Sequence, residues 1–245
     1  MRIRQVSCGL EWHTSPDSEV SIAPILRDYL SLDDDYSAIA SALEFDDILR
    51  EGFAEFRGLR ILRQEPWECL VSFICSANNN IPRIKKNVND MASAFGSPIH
   101  EGTTGENAFP SAAQLADAGE MRLRELGLGF RAKYVAAAAN RVAEGEIDLF
   151  SLREASYQDA LDALVELKGV GDKIANCVLL FSMDKREAFP VDVWIGRALR
   201  EWYFSDSEEK VNLNQMRAWA QARFGQYAGY ANQYLFHGRR LRGRD

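Results

Sequence analysis

Cysteine is scarce. The 245 residues hold four, Cys8, Cys69, Cys75 and Cys177, and no two of them make a CxxC pair. That excludes a disulfide scaffold and argues against a structural zinc or a four-cysteine iron–sulfur cluster. Long apolar runs are missing too. No stretch approaches the roughly 20 apolar residues of a membrane span, and the opening MRIRQVSCGLEW lacks the apolar core of a signal peptide. There is no excess of basic charge: 29 Lys and Arg stand against 36 Asp and Glu, net −7, with a sequence pI near 5.2. A generally basic nucleic-acid coat protein is thereby excluded, although a local basic groove is not. With 47% hydrophobic residues there is material for the core of one large or two small domains, and whole-chain disorder is excluded. These absences predict a soluble protein of a reducing compartment, in the cytoplasm or nucleoid of a prokaryote or the nucleus of a eukaryote.

Charge is unevenly spread. Residues 1–56 carry net −8 and the remaining 189 carry net +1. The acidic excess, around Asp33–Asp35 and Glu44–Asp47, reads as a solvated acidic face. The basic residues gather at Arg83–Lys86, at Arg131 and Lys133, and at Arg239–Arg244, where a partner bearing phosphates could meet them.

Alternating strand patterns are nearly absent; residues 3–12 are the single candidate. Helical periodicity dominates. A helix is predicted from Ile81 to Phe95, with Pro82 near its start and Gly96 as its stop, and another from Ala132 to Glu144, stopped by Gly145. Tyr157, Leu161, Leu164 and Val165 make one apolar stripe; Ile174, Cys177, Val178 and Phe181 make a second. Helices are also predicted over 212–224 and 227–239. The stretch from Ser97 to Pro110 is rich in turn formers and reads as a surface loop.

The segment LKGVGDK (167–173) joins two of these stripes by a short link with glycines at 169 and 171. It reads as a helix–hairpin–helix: the glycines permit positive φ and close backbone approach, and the amides of Gly169 to Lys173 are expected to face outward as an anion site. A plain αα-turn remains the alternative for this link taken alone. Nineteen residues beyond Lys173, in AFPVDVW (188–194), Pro190 breaks regular structure and Asp192 stands at a helix start, where aspartate is a favoured N-cap.

Taken together, LKGVGDKIANCVLLF and AFPVDVW, with LRQEPWECLVSFICSANNNIPRI (62–84), LRELGLGFRAKYV (123–135) and YAGYANQYLF (227–236), resemble the helix–hairpin–helix DNA glycosylases, and most closely the 8-oxoguanine DNA glycosylase family. The resemblance runs from about Pro24 to Arg239. It implies an all-α fold of two helical lobes around a DNA-binding cleft, with residues 1–23 as an N-terminal remnant and the family's β-rich N-terminal domain largely missing. One lobe covers 66–183 and carries Lys173; the other joins 24–64 to 188–245 and carries Asp192.

The resemblance also implies roles. Lys173 is the amine nucleophile of a bifunctional glycosylase and AP lyase, and Asp192 stabilises charge on the sugar. A lysine attacks only as the neutral amine, which a helix N-terminus and apolar neighbours favour. Asn78 fills the gap left by a flipped base, Phe130 wedges beside the orphaned partner base, and Arg83 and Arg131 read the estranged cytosine. Gly169, Val170 and Gly171 meet a phosphate. Cys177, one turn beyond Lys173, and Phe236 sandwich the extruded base, while Pro190 offers a carbonyl. Asn232 stands where the family commonly has glutamine on the base's Watson–Crick edge, and Trp194 replaces a histidine. The implied partner is duplex DNA with oxidised guanine or abasic sites, bound by a monomer without cofactor, metal or membrane. A lysine-type glycosylase for another oxidised or mismatched base, and a non-catalytic damaged-DNA-binding relic, are the alternatives at this point.

Overall fold

The computed structural model describes residues 2–7, 9–13, 19–99, 107–205 and 211–242. Its strands are β1 (Arg2–Val6) and β2 (Gly9–His13), an antiparallel hairpin in which Ile3 faces Trp12 and Gln5 faces Leu10. The single strand expected over 3–12 is thus two, folded back between Val6 and Gly9; Cys8 lies outside the described residues.

Among the described residues, every other regular element is helical. The helices are α1 (Glu19–Tyr29), α2 (Tyr36–Leu43), α3 (Asp47–Glu55), α4 (Pro66–Cys75), α5 (Ile81–Phe95), α6 (Ala112–Leu123), α7 (Ala132–Ala143), α8 (Tyr157–Val165), α9 (Asp172–Ser182), α10 (Val193–Tyr203), α11 (Leu213–Phe224) and α12 (Ala228–Arg242). Side-chain caps fix most of the starts. Asp35, Asp46, Asn80, Ser156 and Asp192 each accept from a backbone N–H three residues on, and Ser111–Gln114 and Asn212–Gln215 form capping boxes. Of the Ser97–Pro110 loop, residues 100–106 lie outside the described set; its described ends meet in an isolated bridge between Pro98 and Asn107.

Helices α4 to α9 pack as one group, with α4 against α5, α7 and α9, and α8 against α9. Helices α2, α3, α10, α11 and α12 pack as another, centred on α12. The apolar faces of both merge into a continuous core that includes Leu70, Ile74, Leu164, Val178, Phe189, Leu199 and Tyr230. Among the described residues no helix is long and apolar enough to cross a membrane.

Two carboxylates leave the solvated face that the acidic segment's composition suggests, while Asp33, Asp35, Glu44 and Asp47 keep to it. Asp34 is 8% exposed; it accepts from Arg63 and Arg186, both at 2.7 Å, and from the Tyr230 hydroxyl at 2.6 Å. Asp46 is 3% exposed, caps α3, and holds Arg223 at 2.7 Å and Tyr203 at 2.9 Å. Both carboxylates are buried because arginines and tyrosines from distant segments satisfy them. Asp33 keeps to the surface, paired with Arg27 at 3.1 Å.

Candidate active site

Between the two helix groups lies a cleft of about 680 Å³, and both Lys173 and Asp192 line it. Lys173 is the second residue of α9. Its helix begins at Gly171 without a side-chain cap, so no side chain occupies the first-turn N–H groups that neighbouring helices spend on their caps. Asp172 sits at this positive end and pairs with Arg217 of α11 at 3.0 Å, a bridge from one group to the other.

The hairpin before α9 is shaped by a single steric demand. Gly169 has φ +86, and a Cβ there would stand 2.4 Å from the Tyr134 ring. Gly171 is different: its φ is −99 and open space surrounds it. One amide also departs from the expected outward set, because Val170 is buried and its N–H donates inward to the Leu167 carbonyl at 2.9 Å. The turn needs that bond to close, so Val170 contributes packing rather than a free donor.

Asp192 enters from the other wall. Its Oδ1 accepts from the Ile195 N–H at 2.8 Å, capping α10. The loop that carries it is gripped from two helices. Asn176 of α9 is wholly buried, and its Oδ1 accepts from the Phe189 N–H at 3.3 Å and the Tyr157 hydroxyl at 2.8 Å. From α12, the Gly229 N–H donates to the Arg186 carbonyl at 2.7 Å, and a Cβ on Gly229 would lie 2.2 Å from Leu180. That grip is why residues nineteen apart in sequence line one cleft.

Lys173 has an identifiable environment. Its Nζ donates to Ser76 Oγ at 3.0 Å and lies 5.3 Å from the centroid of the Phe73 ring, which itself stacks on Phe181. Cys177 is 4% exposed, and burial pushes its thiol up to about 12; the charge of Lys173 pulls in the opposite direction and that of Asp192 adds to the rise. The thiol therefore lies in the field of both residues. Cys75, behind the same wall, is also pushed up to about 12 by burial, against the pull of Arg131.

The remaining expected site residues divide. Asn78 is exposed, lines the cleft and holds a φ of +48. Phe130 is 45% exposed on a one-turn 3-10 helix, Gly129–Arg131. Arg83 is exposed at the start of α5, its Nη2 within 3.4 Å of the Gly127 carbonyl. Arg131 is not exposed: at 4% it gives Nε to the Ala77 carbonyl and Nη2 to the Asn78 carbonyl, both at 2.7 Å, and Nη1 to the Leu128 carbonyl at 3.3 Å. Burial lowers its pKa from the ordinary value, and the like charge of Arg83 adds to the fall. Three of its five donors are spent on backbone, and two remain.

Cys177, Pro190, Asn232 and Phe236 do not line the open cleft. Pro190 and Asn232 are buried and bonded to each other, and Phe236 packs half-buried against the core. The basic cluster at 239 is partly neutralised, since Arg239 pairs with Glu201. Sequence reasoning missed Ser76, Asp172 and Arg217. Ser76 follows α4 and sits two residues before Asn78, and only that adjacency could have drawn notice to it.

The chain belongs to the HhH-GPD superfamily of base excision DNA repair proteins, whose family model matches residues 71–221. Residues 4–70 match the model of the 8-oxoguanine DNA glycosylase N-terminal domain, so the likeness begins at residue 4 and takes in the β1–β2 hairpin, ahead of the expected start near Pro24. The chain is 35% identical over 231 residues to the N-glycosylase/DNA lyase OGG1 of Arabidopsis thaliana, covering 90% of this chain and 59% of that protein. It is 36% identical over 215 residues to the N-glycosylase/DNA lyase of Saccharomyces cerevisiae, covering 74% and 56%. The chain thus spans well under two thirds of the length of these two relatives. Among solved structures, Clostridium acetobutylicum 8-oxoguanine glycosylase/lyase, in complex with duplex DNA containing cytosine opposite 8-oxoG, superposes with a TM-score of 0.90 at 33% identity, over 98% of this chain and 81% of that one.

Proposed function

We propose that this protein is a base-excision repair glycosylase that removes 8-oxoguanine opposite cytosine from duplex DNA and then nicks the strand as an AP lyase. The observation that carries the reading is the cleft that Lys173 and Asp192 share, each delivered by a different helix group. The two groups act as lobes on either side of the DNA strand, with 66–183 bringing the lysine and 188–245, packed on 24–64, bringing the aspartate.

In this reading the lone pair of Lys173 Nζ attacks the sugar C1′. The bond from C1′ to the base breaks, and the base leaves with the electron pair and takes up a proton. Asp192 opposes the positive charge that develops on the sugar, and its cap to Ile195 uses Oδ1 alone, so the second oxygen is available to the substrate. Loss of a proton from nitrogen and opening of the ring give a Schiff base. Removal of a C2′ proton then expels the 3′ phosphate and nicks the strand. The uncapped start of α9 supplies a site for a backbone phosphate. Asn78 and Phe130 stand ready to fill the vacated stack, and no cofactor is required.

Borohydride trapping tests this. The protein is expected to cross-link to duplexes bearing 8-oxoguanine opposite cytosine or an abasic site, and Lys173→Gln is expected to lose both cross-links while still binding duplex DNA. Affinity should fall with salt at a log–log slope of about −0.9 per phosphate contacted. Trapping that survives in the Lys173→Gln protein would remove Lys173 from the nucleophile's place.

A further inference from the structure

We infer that Ser76 is a positioning residue for Lys173, an inference that rests on the proposed glycosylase and lyase reading. Ser76 Oγ lies 3.0 Å from Lys173 Nζ across a separation of 97 residues. The direction of the bond follows from the hydroxyl's other partner. A serine has one hydroxyl hydrogen, and Ser76 gives its hydrogen to the Phe73 carbonyl at 2.6 Å. Towards Lys173 the oxygen therefore acts as an acceptor, taking an N–H. It does not donate to the nitrogen, so the lone pair that must attack the sugar is left free. A hydroxyl with its hydrogen turned the other way would occupy that lone pair and oppose the reaction.

The hydroxyl is itself fixed from both sides. Upstream, Ser76 is the C-cap of α4, with its N–H bonded to the Phe73 carbonyl. Downstream, Arg131 holds the next two carbonyls, those of Ala77 and Asn78. The Phe73 ring covers the amine on another side. A lysine stem loses much rotamer freedom when its amine is held in one place, and catalysis by a positioned nucleophile depends on that loss being met before the substrate arrives. Ser76 is thus a fixed acceptor inside the cleft, beside the residue whose reach matters most.

The experiment is single-turnover borohydride trapping on a preformed abasic duplex, at saturating protein, for the unsubstituted chain, Ser76→Ala and Ser76→Thr. Kd for the duplex and Tm are measured alongside. Ser76→Ala is expected to slow trapping by about tenfold, with Kd within about twofold of the parent and Tm little changed. Ser76→Thr, which keeps the hydroxyl, is expected to recover most of the rate. Ser76→Ala trapping at the parental rate overturns the inference. So does a loss of rate matched by an equal loss of Kd or Tm, or a Ser76→Thr protein as slow as Ser76→Ala. Failure of the unsubstituted chain to trap at all would instead count against the proposed function, so the two failures are distinguishable.

Discussion

The side-chain amide of Asn232, within α12, donates to the Pro190 carbonyl at 2.8 Å, and both residues are buried. This bond ties the C-terminal helix to the loop that carries Asp192, two residues further on. It also engages the carbonyl that the family resemblance assigns to the extruded base. A carbonyl oxygen has two lone pairs, so an arriving donor can share it or displace the amide.

Removing the donor should therefore matter for stability and for base recognition. Asn232→Ala leaves a buried carbonyl without its partner, at a cost of about 1–3 kcal/mol, which lowers Tm by roughly 2–12 °C. Excision of 8-oxoguanine should slow more than trapping at a preformed abasic site, where no base is bound. Thermal denaturation and parallel single-turnover assays check both; an unchanged Tm would mean that the bond contributes nothing.

Arg131 carries a structural load, and the proposed function gives it a recognition role as well. Arg131→Ala frees the Ala77 and Asn78 carbonyls and removes the two remaining donors, which the proposed function directs to the opposite base. The preference for cytosine over adenine opposite the lesion should shrink by roughly tenfold, the worth of one bidentate contact. Tm should fall as well. Single-turnover rates on the two opposite-base duplexes decide it, and an unaltered ratio would confine Arg131 to the loop clamp.

The two hairpin glycines should behave differently. Gly169→Ala forces a Cβ into the Tyr134 ring from a positive φ, and is expected to destabilise by at least about 1–2 kcal/mol and weaken duplex binding. Gly171→Ala has φ −99 and open space, so its Tm should stay near that of the parent. Denaturation of the two variants side by side gives the comparison; equal Tm losses would refute the steric account.

Alkaline pH should destabilise the fold. Burial raises the Cys75 and Cys177 thiols from an ordinary 9.0 to about 12, and burial likewise raises Cys69, Tyr203, Tyr230 and Tyr234. Above pH 9 the unfolded chain releases these thiol protons while the folded chain keeps them. The stability they contribute is therefore full below pH 9 and declines as pH rises towards 12, at up to about 1.4 kcal/mol per pH unit for each thiol. Urea midpoints at pH 8 and pH 10.5 should differ accordingly, and a Cys75→Ala, Cys177→Ala double variant should narrow the gap. A midpoint that holds constant over that range would contradict the burial of these groups.

Local signals in the chain were legible. The α5 stop at Gly96, the Asp192 cap and the apolar stripes of α8 and α9 each depend on residues within one or two turns of each other, so their spacing in sequence is their spacing in space. The hairpin at 167–173 was legible for the same reason, although the inward N–H of Val170 and the indifference of Gly171 were not. Asp34 and Asp46 were misread as solvated because a run of acidic residues carries no sign of the arginines that neutralise it. The Arg186 that meets Asp34 stands 152 residues away, and the Arg223 that meets Asp46 stands 177 away.

The sequence by itself determined α5 and α7 to α12, the Asp192 cap and the hairpin, and the resemblance it carries pointed to the two residues, Lys173 and Asp192, on which the chemistry is proposed to turn. Only the tertiary structure decided how those two are held and what surrounds them. Ser76 beneath the lysine, Arg131 locked onto the loop beside it, and Asn232 on the Pro190 carbonyl all depend on contacts between segments 42 to 97 residues apart. Such contacts form because burial of the apolar faces brings the segments together, and the polar groups trapped there must then find partners. No periodicity along the chain records which partner each will find.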